Sequence, residues 1–299
     1  MIGILLALCV AFLKSLWELA GKVFTDIKKE SSLDEYSLVL WARVLSVILL
    51  FPLIFFIDYS PLEWSVLIAL IFSSLINAVT NITAIKAVKY WDLSLVWPLS
   101  ALTIPFLFFS SYLILGEKAN IAGIVGVIVI FFGTYFLHIQ ELKTGWVFAP
   151  LKAIYHNLWA RYMLITSILW SLSSPLDKIG VLHLWALTWM FYTNILISIF
   201  IGIYIFLFQK NISVKNIFHK KHIKKISAIT FIGWLWVFLQ ILALKYTLVI
   251  YVIALKRASG IFSVVLWYFF FKEKNIIQKL LATIIMLAWV GIISILWNI

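Results

Sequence analysis

Charged side chains stand inside long apolar runs of this chain, among them Lys14 and Glu18 in the first run and Lys256 and Arg257 in the ninth. Lys14 and Glu18 are four residues apart, so on a helix they share a face and can pair. A carboxylate held beside an ammonium in an apolar setting can trade protons for a solute. The plainer reading is a static ion pair that neutralises two stray charges. Lys256 and Arg257 are adjacent and must point in different directions from one helix, so at least one faces the interior. There they can recognise a phosphate or a carboxylate, which arginine grips through two parallel N–H groups. Alternatively, one snorkels to the interface while the other satisfies backbone carbonyls or Glu18.

Other polar residues in apolar runs join this set. Asn77 and Asn81 share a helix face, as do Trp236 and Gln240, and each pair can bond a solute or a neighbouring helix. Arg43 reads as a structural brace. Pro98, Pro105 and Pro175 each remove a backbone donor and bend a helix, and Gly260 beside Ser259 acts similarly; these four are the candidate gating or hinge positions. Trp17, Trp170 and Trp234 can wall a cavity and stack on a ring or cation. Asp177-Lys178 reads as a helix end near the surface, pairing with headgroups or with each other. Glu117-Lys118 and Glu273-Lys274 read as helix-end chemistry.

An ionisable group at mid-bilayer costs about 2.5–3.5 kcal/mol on insertion scales, so each needs a partner or a wet cavity. That the surroundings are bilayer follows from composition. Of 299 residues, 64% are hydrophobic and 12% charged, with a mean hydropathy of +1.08. No water-soluble globule covers so much apolar surface. Apolar runs of span length, roughly 20 residues, occur near 2–24, 36–57, 62–86, 91–115, 119–138, 161–180, 184–208, 223–245, 248–271 and 275–297. Their continuity excludes a β-barrel, whose strands alternate over roughly 10-residue segments. The first run has no basic stretch before it and no small-residue cleavage site, so it reads as a retained helix rather than a signal peptide. The net charge of +12 sits in short gaps between runs, which argues against nucleic acid. The lone Cys9 and five scattered His offer no disulfide and no metal site, and no cofactor motif or phosphate-binding glycine loop is present.

The chain repeats itself. A shift of 156 residues lays Glu117-Lys118 on Glu273-Lys274, and Ala87, Lys89 and Tyr90 on Ala243, Lys245 and Tyr246. It also lays Leu13, Ser15, Leu16 and Lys22 on Leu169, Ser171, Leu172 and Lys178. Residues 1–138 form the first unit, 139–158 a linker and 159–299 the second. Five spans per unit is an odd number, so the second copy is inverted relative to the first. The expected fold is thus an all-α membrane protein of about ten transmembrane helices in two inverted five-helix repeats. The distribution of Lys and Arg over the connections puts both termini away from the cytoplasm.

The phrases Ala87-Val88-Lys89-Tyr90 and Gly116-Glu117-Lys118, with their second copies Ala243-Leu244-Lys245-Tyr246 and Lys272-Glu273-Lys274, resemble the drug/metabolite transporter superfamily in its ten-helix EamA-type form. Lys22 and Lys178 fall where that family has a lysine ending the first helix of each repeat, and Arg43 where it has an arginine in the second helix. The second unit has no arginine matching Arg43; Asn194 is the nearest polar residue. The resemblance implies cytoplasmic termini, against the charge bias. It also implies a cavity between the halves, lined by helices 1, 3, 4, 6, 8 and 9, which opens alternately to each side. The expected function is non-enzymatic: a secondary transporter of a small solute, proton-coupled or exchanging. Basic residues exceed acidic ones within the spans, which favours an anionic or zwitterionic solute. The alternatives are a lipid-linked phosphate flippase, a membrane enzyme acting on lipid-linked substrates and a membrane scaffold. The expected partners are the solute and the bilayer of a bacterial or archaeal plasma membrane, with a homodimer left open.

Overall fold

The computed structural model describes residues 2–24, 35–56, 62–90, 99–121, 124–129, 131–132, 152, 155–208, 220–257, 259 and 262. Among the described residues every regular element is helical: α1 (Ile2–Phe24), α2 (Glu35–Leu50) running into a 3-10 helix (Phe51–Phe56), α3 (Trp64–Tyr90), α4 (Thr103–Leu115), α5 (Leu158–His183), α6 (Ala186–Phe208), α7 (Lys220–Tyr246) and α8 (Val249–Arg257). With 27 residues each, α3 and α7 extend about 40 Å, enough to cross a hydrocarbon core of about 30 Å. Their bounds differ by 156 at both ends, the shift that superimposes the repeated phrases. The expected tenth span and residues 139–151 of the expected linker lie outside the described residues, and only residues 124–129 and their near neighbours represent the fifth span.

The helices are inside-out by the standards of a water-soluble protein. On α3, Ile68, Ile71, Phe72, Leu75 and Val79 recur at intervals of three or four residues and are exposed, whereas Ser73, Ser74 and Thr80 are buried. On α5, Ile165, Leu172 and Leu182 are exposed while Thr166, Ser167, Ser171, Ser173 and Ser174 are buried. Oil outside and polar groups inside is the pattern of helices solvated by lipid, where small hydroxyl residues let backbones approach closely. The residues 64–84 and 186–208 are both long and apolar enough to span. The closest packing runs between α3 and α5, and between α1 and α7; α4 lies on α5, α8 on α1, α2 and α3 on α6, and α7 on α2.

Two prolines show how buried backbone is satisfied. Pro175 lies inside α5 and has no N–H for the carbonyl of Ser171, which instead accepts from Ser110 Oγ of α4 at 2.6 Å. Pro105 sits in the first turn of α4. The carbonyl of Ala101, which a residue at 105 would normally serve, accepts from Ile104 N at 3.0 Å, and the chain turns at residues 101–102. The fourth run is therefore broken rather than continuous over 91–115, because a proline leaves the turn before it to tighten. Gly116, at φ 65, closes α4 with its N–H on Tyr112 O.

Gly180 shows how tightly α5 meets α6. A Cβ there would lie 2.2 Å from the indole of Trp189. Gly180→Ala is expected to lower stability by about 1–3 kcal/mol, the usual cost of overpacking a filled site. A melting curve of the purified variant checks this; an unchanged midpoint would contradict it.

Candidate solute-binding site between the helices

Adjacent helical residues point about 100° apart, and Lys256 and Arg257 at the end of α8 turn to two different walls. Lys256 Nζ donates to Gln240 Oε1 at 2.8 Å and lies 5.6 Å from the centroid of the Trp236 ring. Both partners come from one face of α7, a turn apart. Arg257 forks into the break before α4: Nη1 donates to Ser100 Oγ at 3.1 Å and Nη2 to Thr103 Oγ1 at 3.0 Å. Its guanidinium lies 5.7 Å from the Trp170 ring centroid on α5. A cation over an aromatic face gains about 0.5–2 kcal/mol, more as water is excluded. Neither residue snorkels: Arg257 is 5% exposed.

Lys14 is also buried, and Nζ donates to Ser259 Oγ at 3.2 Å. The 156-residue shift lays Thr103 on Ser259 and Lys14 on Trp170, so corresponding positions of the two units take part in these contacts. Trp17 completes this side, its ring 6.4 Å from that of Trp236 and its indole against Gly233. The Nε1 of Trp236 is buried with no hydrogen-bond partner among the described residues. The Nε1 of Trp234 is in the same condition, and its ring stacks between Phe231 and Phe238.

A polar seam runs between α3 and α5. Asp177 Oδ1 accepts from Ser73 Oγ at 2.5 Å and from Trp189 Nε1 at 3.1 Å. Asn77 Nδ2 donates to Ser173 Oγ at 2.7 Å, and Asn81 Nδ2 to the carbonyl of Asn77. Asp177 is thereby enclosed where α3, α5 and α6 meet. This corrects the sequence expectation for Asp177. It does not end a helix at the surface, because α5 continues to His183 and turns Asp177 into the bundle. The indole of Trp189 reaches it only because residue 180 has no side chain.

Lys178 likewise faces inward. It forms an ion pair with Glu117 and donates to Thr247 O at 2.8 Å. Glu117 Oε2 accepts from Ser111 Oγ at 2.5 Å and from Val249 N, the first amide of α8, at 3.0 Å. Arg43 bridges three helices, donating to Asn81 Oδ1 on α3 at 2.7 Å and to Asn194 Oδ1 on α6 at 3.1 Å. The side chains of Glu18 and Lys22, and Pro98, Gly260, Glu273 and Lys274, lie outside the described residues. Among the described residues no three His, Cys, Asp or Glu side chains gather as metal ligands.

Sequence reasoning missed Asp177, Ser100, Thr103, Ser73 and Ser173 as members of this site. The repeat held a signal for two of them, since Ser100 and Thr103 fall on Lys256 and Ser259.

Residues 1–139 match the model of the EamA-like transporter family. Over that stretch the chain belongs to the EamA-like family. The matched EamA stretch holds α1 to α4, with Lys14, Arg43, Asn77, Ser100 and Thr103. The family match over residues 1–139 and the apolar helices together mark the chain as an integral membrane protein. A protein of known crystal structure superposes over 98% of this chain and 97% of its own, with a TM-score of 0.74 at 13% identity. The EamA-like chain shares its fold. No curated protein matches it in sequence.

Proposed function

We propose that this EamA-like protein is a secondary transporter that carries a small anionic or zwitterionic solute by alternating access between two inverted repeats. The observation that carries the reading is the placement of Lys256 and Arg257. Both are turned into the bundle, stacked on Trp236 and Trp170, and bonded to neutral oxygens of Gln240, Ser100 and Thr103. Among the described residues Lys256 has no carboxylate within ion-pair distance, and the indole N–H of Trp236 beside it has no acceptor. Donors of this kind, on two walls, are complementary to a carboxylate or phosphate. The repeat reading is supported by packing. Under the 156-residue shift α1 and α7 become α5 and the counterpart of α3, and these two pairs are the most closely packed. The broken fourth span, with Pro105 in its first turn, supplies the irregular backbone that transporters place at the binding site. Asn77, Asn81, Trp170, Trp236 and Gln240 line the solute path in this reading. Pro175 and Pro105 serve as hinges, and Arg43 and Lys178 hold the frame.

A thermal-shift screen of purified protein tests the proposal, because a ligand of the folded state raises the melting temperature. Anionic or zwitterionic metabolites are expected to stabilise the protein, and Lys256→Gln and Arg257→Gln to abolish the shift. Stabilisation by cationic metabolites alone, or shifts retained in both variants, would overturn it.

A further inference from the structure

We infer that the turn between α7 and α8 is the gate that shuts one end of the bundle, and that the side chain of Thr247 primes it to open. The inference rests on the carrier reading above and adds the place where one face opens.

α7 ends at Tyr246 and α8 starts at Val249, so Thr247 and Leu248 make the turn. Groups from α1, α4 and α5 hold it. Lys178 of α5 donates to Thr247 O at 2.8 Å, and Glu117 at the end of α4 accepts from Val249 N at 3.0 Å. Gly3 in the first turn of α1 supplies a third contact. A Cβ there would lie 2.9 Å from both Cβ and Cγ2 of Thr247, and 3.3 Å from the carbonyl carbon of Tyr246. Thr247, Val249 and Ile250 are all buried there. The unlike strengths of these ties show which of them part. Glu117 and Lys178 are a buried ion pair, and separating them strands two charges. Each holds the turn by one hydrogen bond to a neutral backbone group, and Gly3 meets it by contact alone. The turn can therefore leave a frame that stays joined.

Thr247 is 5% exposed, yet its Oγ1 has no hydrogen-bond partner among the described residues. A buried hydroxyl in that state raises the free energy of the closed arrangement. Once the turn swings out, water reaches the hydroxyl and the cost disappears. Gly3 acts in the opposite sense, because its missing side chain is what lets α1 seal against the turn.

The test starts from Cys9→Ser, with Gln240→Cys as the interior thiol and, in a separate protein, Trp185→Cys as a marker. Trp185 is exposed between α5 and α6, beyond Lys178 at the same end, so its labelling identifies the vesicles that present the gate outward. Labelling of the interior thiol by a membrane-impermeant reagent is then timed from each face. Thr247→Val keeps the shape of the side chain and removes the hydroxyl. It should lower the ratio of gate-face to opposite-face labelling by roughly fivefold to a hundredfold, the effect of relieving one unsatisfied buried group. Gly3→Ala crowds the seat of the turn and should raise the same ratio. The melting midpoint of Thr247→Val should equal or exceed that of its parent, so this variant carries the test even where Gly3→Ala fails to fold. An unchanged or higher ratio in Thr247→Val, or a lower midpoint, would overturn the gate alone. So would a lower ratio in folded Gly3→Ala. Labelling of the interior thiol from neither face, or from one face only, would overturn the carrier reading beneath it.

Discussion

Replacing Lys178 by Met is expected to destabilise the protein by about 3–5 kcal/mol, because it leaves Glu117 as an uncompensated buried charge. The side chains of Lys178 and Glu117 are 12% and 8% exposed, so water rescues neither. Glu117 also holds Ser111 Oγ and the first amide of α8, while Lys178 holds the carbonyl of Thr247. One pair therefore ties the end of α4, the last turns of α5 and the start of α8. The helix start gains most, because its free amide has no partner within the helix and carries the positive end of the dipole. Glu117→Gln should cost less than Lys178→Met, since an amide oxygen still accepts from Val249 N. The double variant should recover part of the loss, because no lone charge remains. Melting curves of the three variants in one detergent check this order. A Lys178→Met midpoint equal to wild type would remove the pair from the account of stability.

Arg257→Gln is expected to weaken binding of an anionic solute by about 2–5 kcal/mol, roughly thirty-fold to a few thousand-fold, the range for removing one partner of a buried charge pair. Glutamine cannot span from Ser100 to Thr103 and carries no charge to place over Trp170. Arg257→Lys keeps the charge but loses the fork, so it should fall between the two. Lys256→Gln should show a loss of similar order through a different wall, with Gln240 and Trp236 left in place. Insertion is expected to persist in all three, because each substitution removes a charge or keeps it and buries nothing larger. Isothermal titration with the best stabilising anion from the thermal screen measures the losses. Wild-type affinity in both glutamine variants would move the anion site elsewhere.

Much of the frame was legible in the chain. The 156-residue shift places α3 on α7 to the residue, and continuous apolar runs locate the helices because in lipid only a helix satisfies its own backbone. The divergence of Lys256 and Arg257 follows from helical geometry alone. Asp177 was misplaced for a specific reason. An Asp-Lys pair near the end of an apolar run looks like an interface, and nothing local reveals that α5 continues to His183 and carries both side chains inward. The hydroxyl residues were illegible for another reason. A helical serine can satisfy itself on its own preceding carbonyl, as Ser15 and Ser174 do, so sequence does not tell it from one that reaches a neighbour, as Ser73 and Ser110 do. Only packing between helices decides. The break at residues 101–102 lies between Pro98 and Pro105, which marked the region but not the residue at which the chain turns.

A buried site that opens in turn to each side of the membrane is tested most directly at Gln240, the hydrogen-bond partner of Lys256. Cys9→Ser removes the only cysteine, and Gln240→Cys then offers one thiol. A membrane-impermeant thiol reagent is applied to right-side-out and to inside-out vesicles. Modification from both sides is the predicted result; modification from one side only, or from neither, would contradict it.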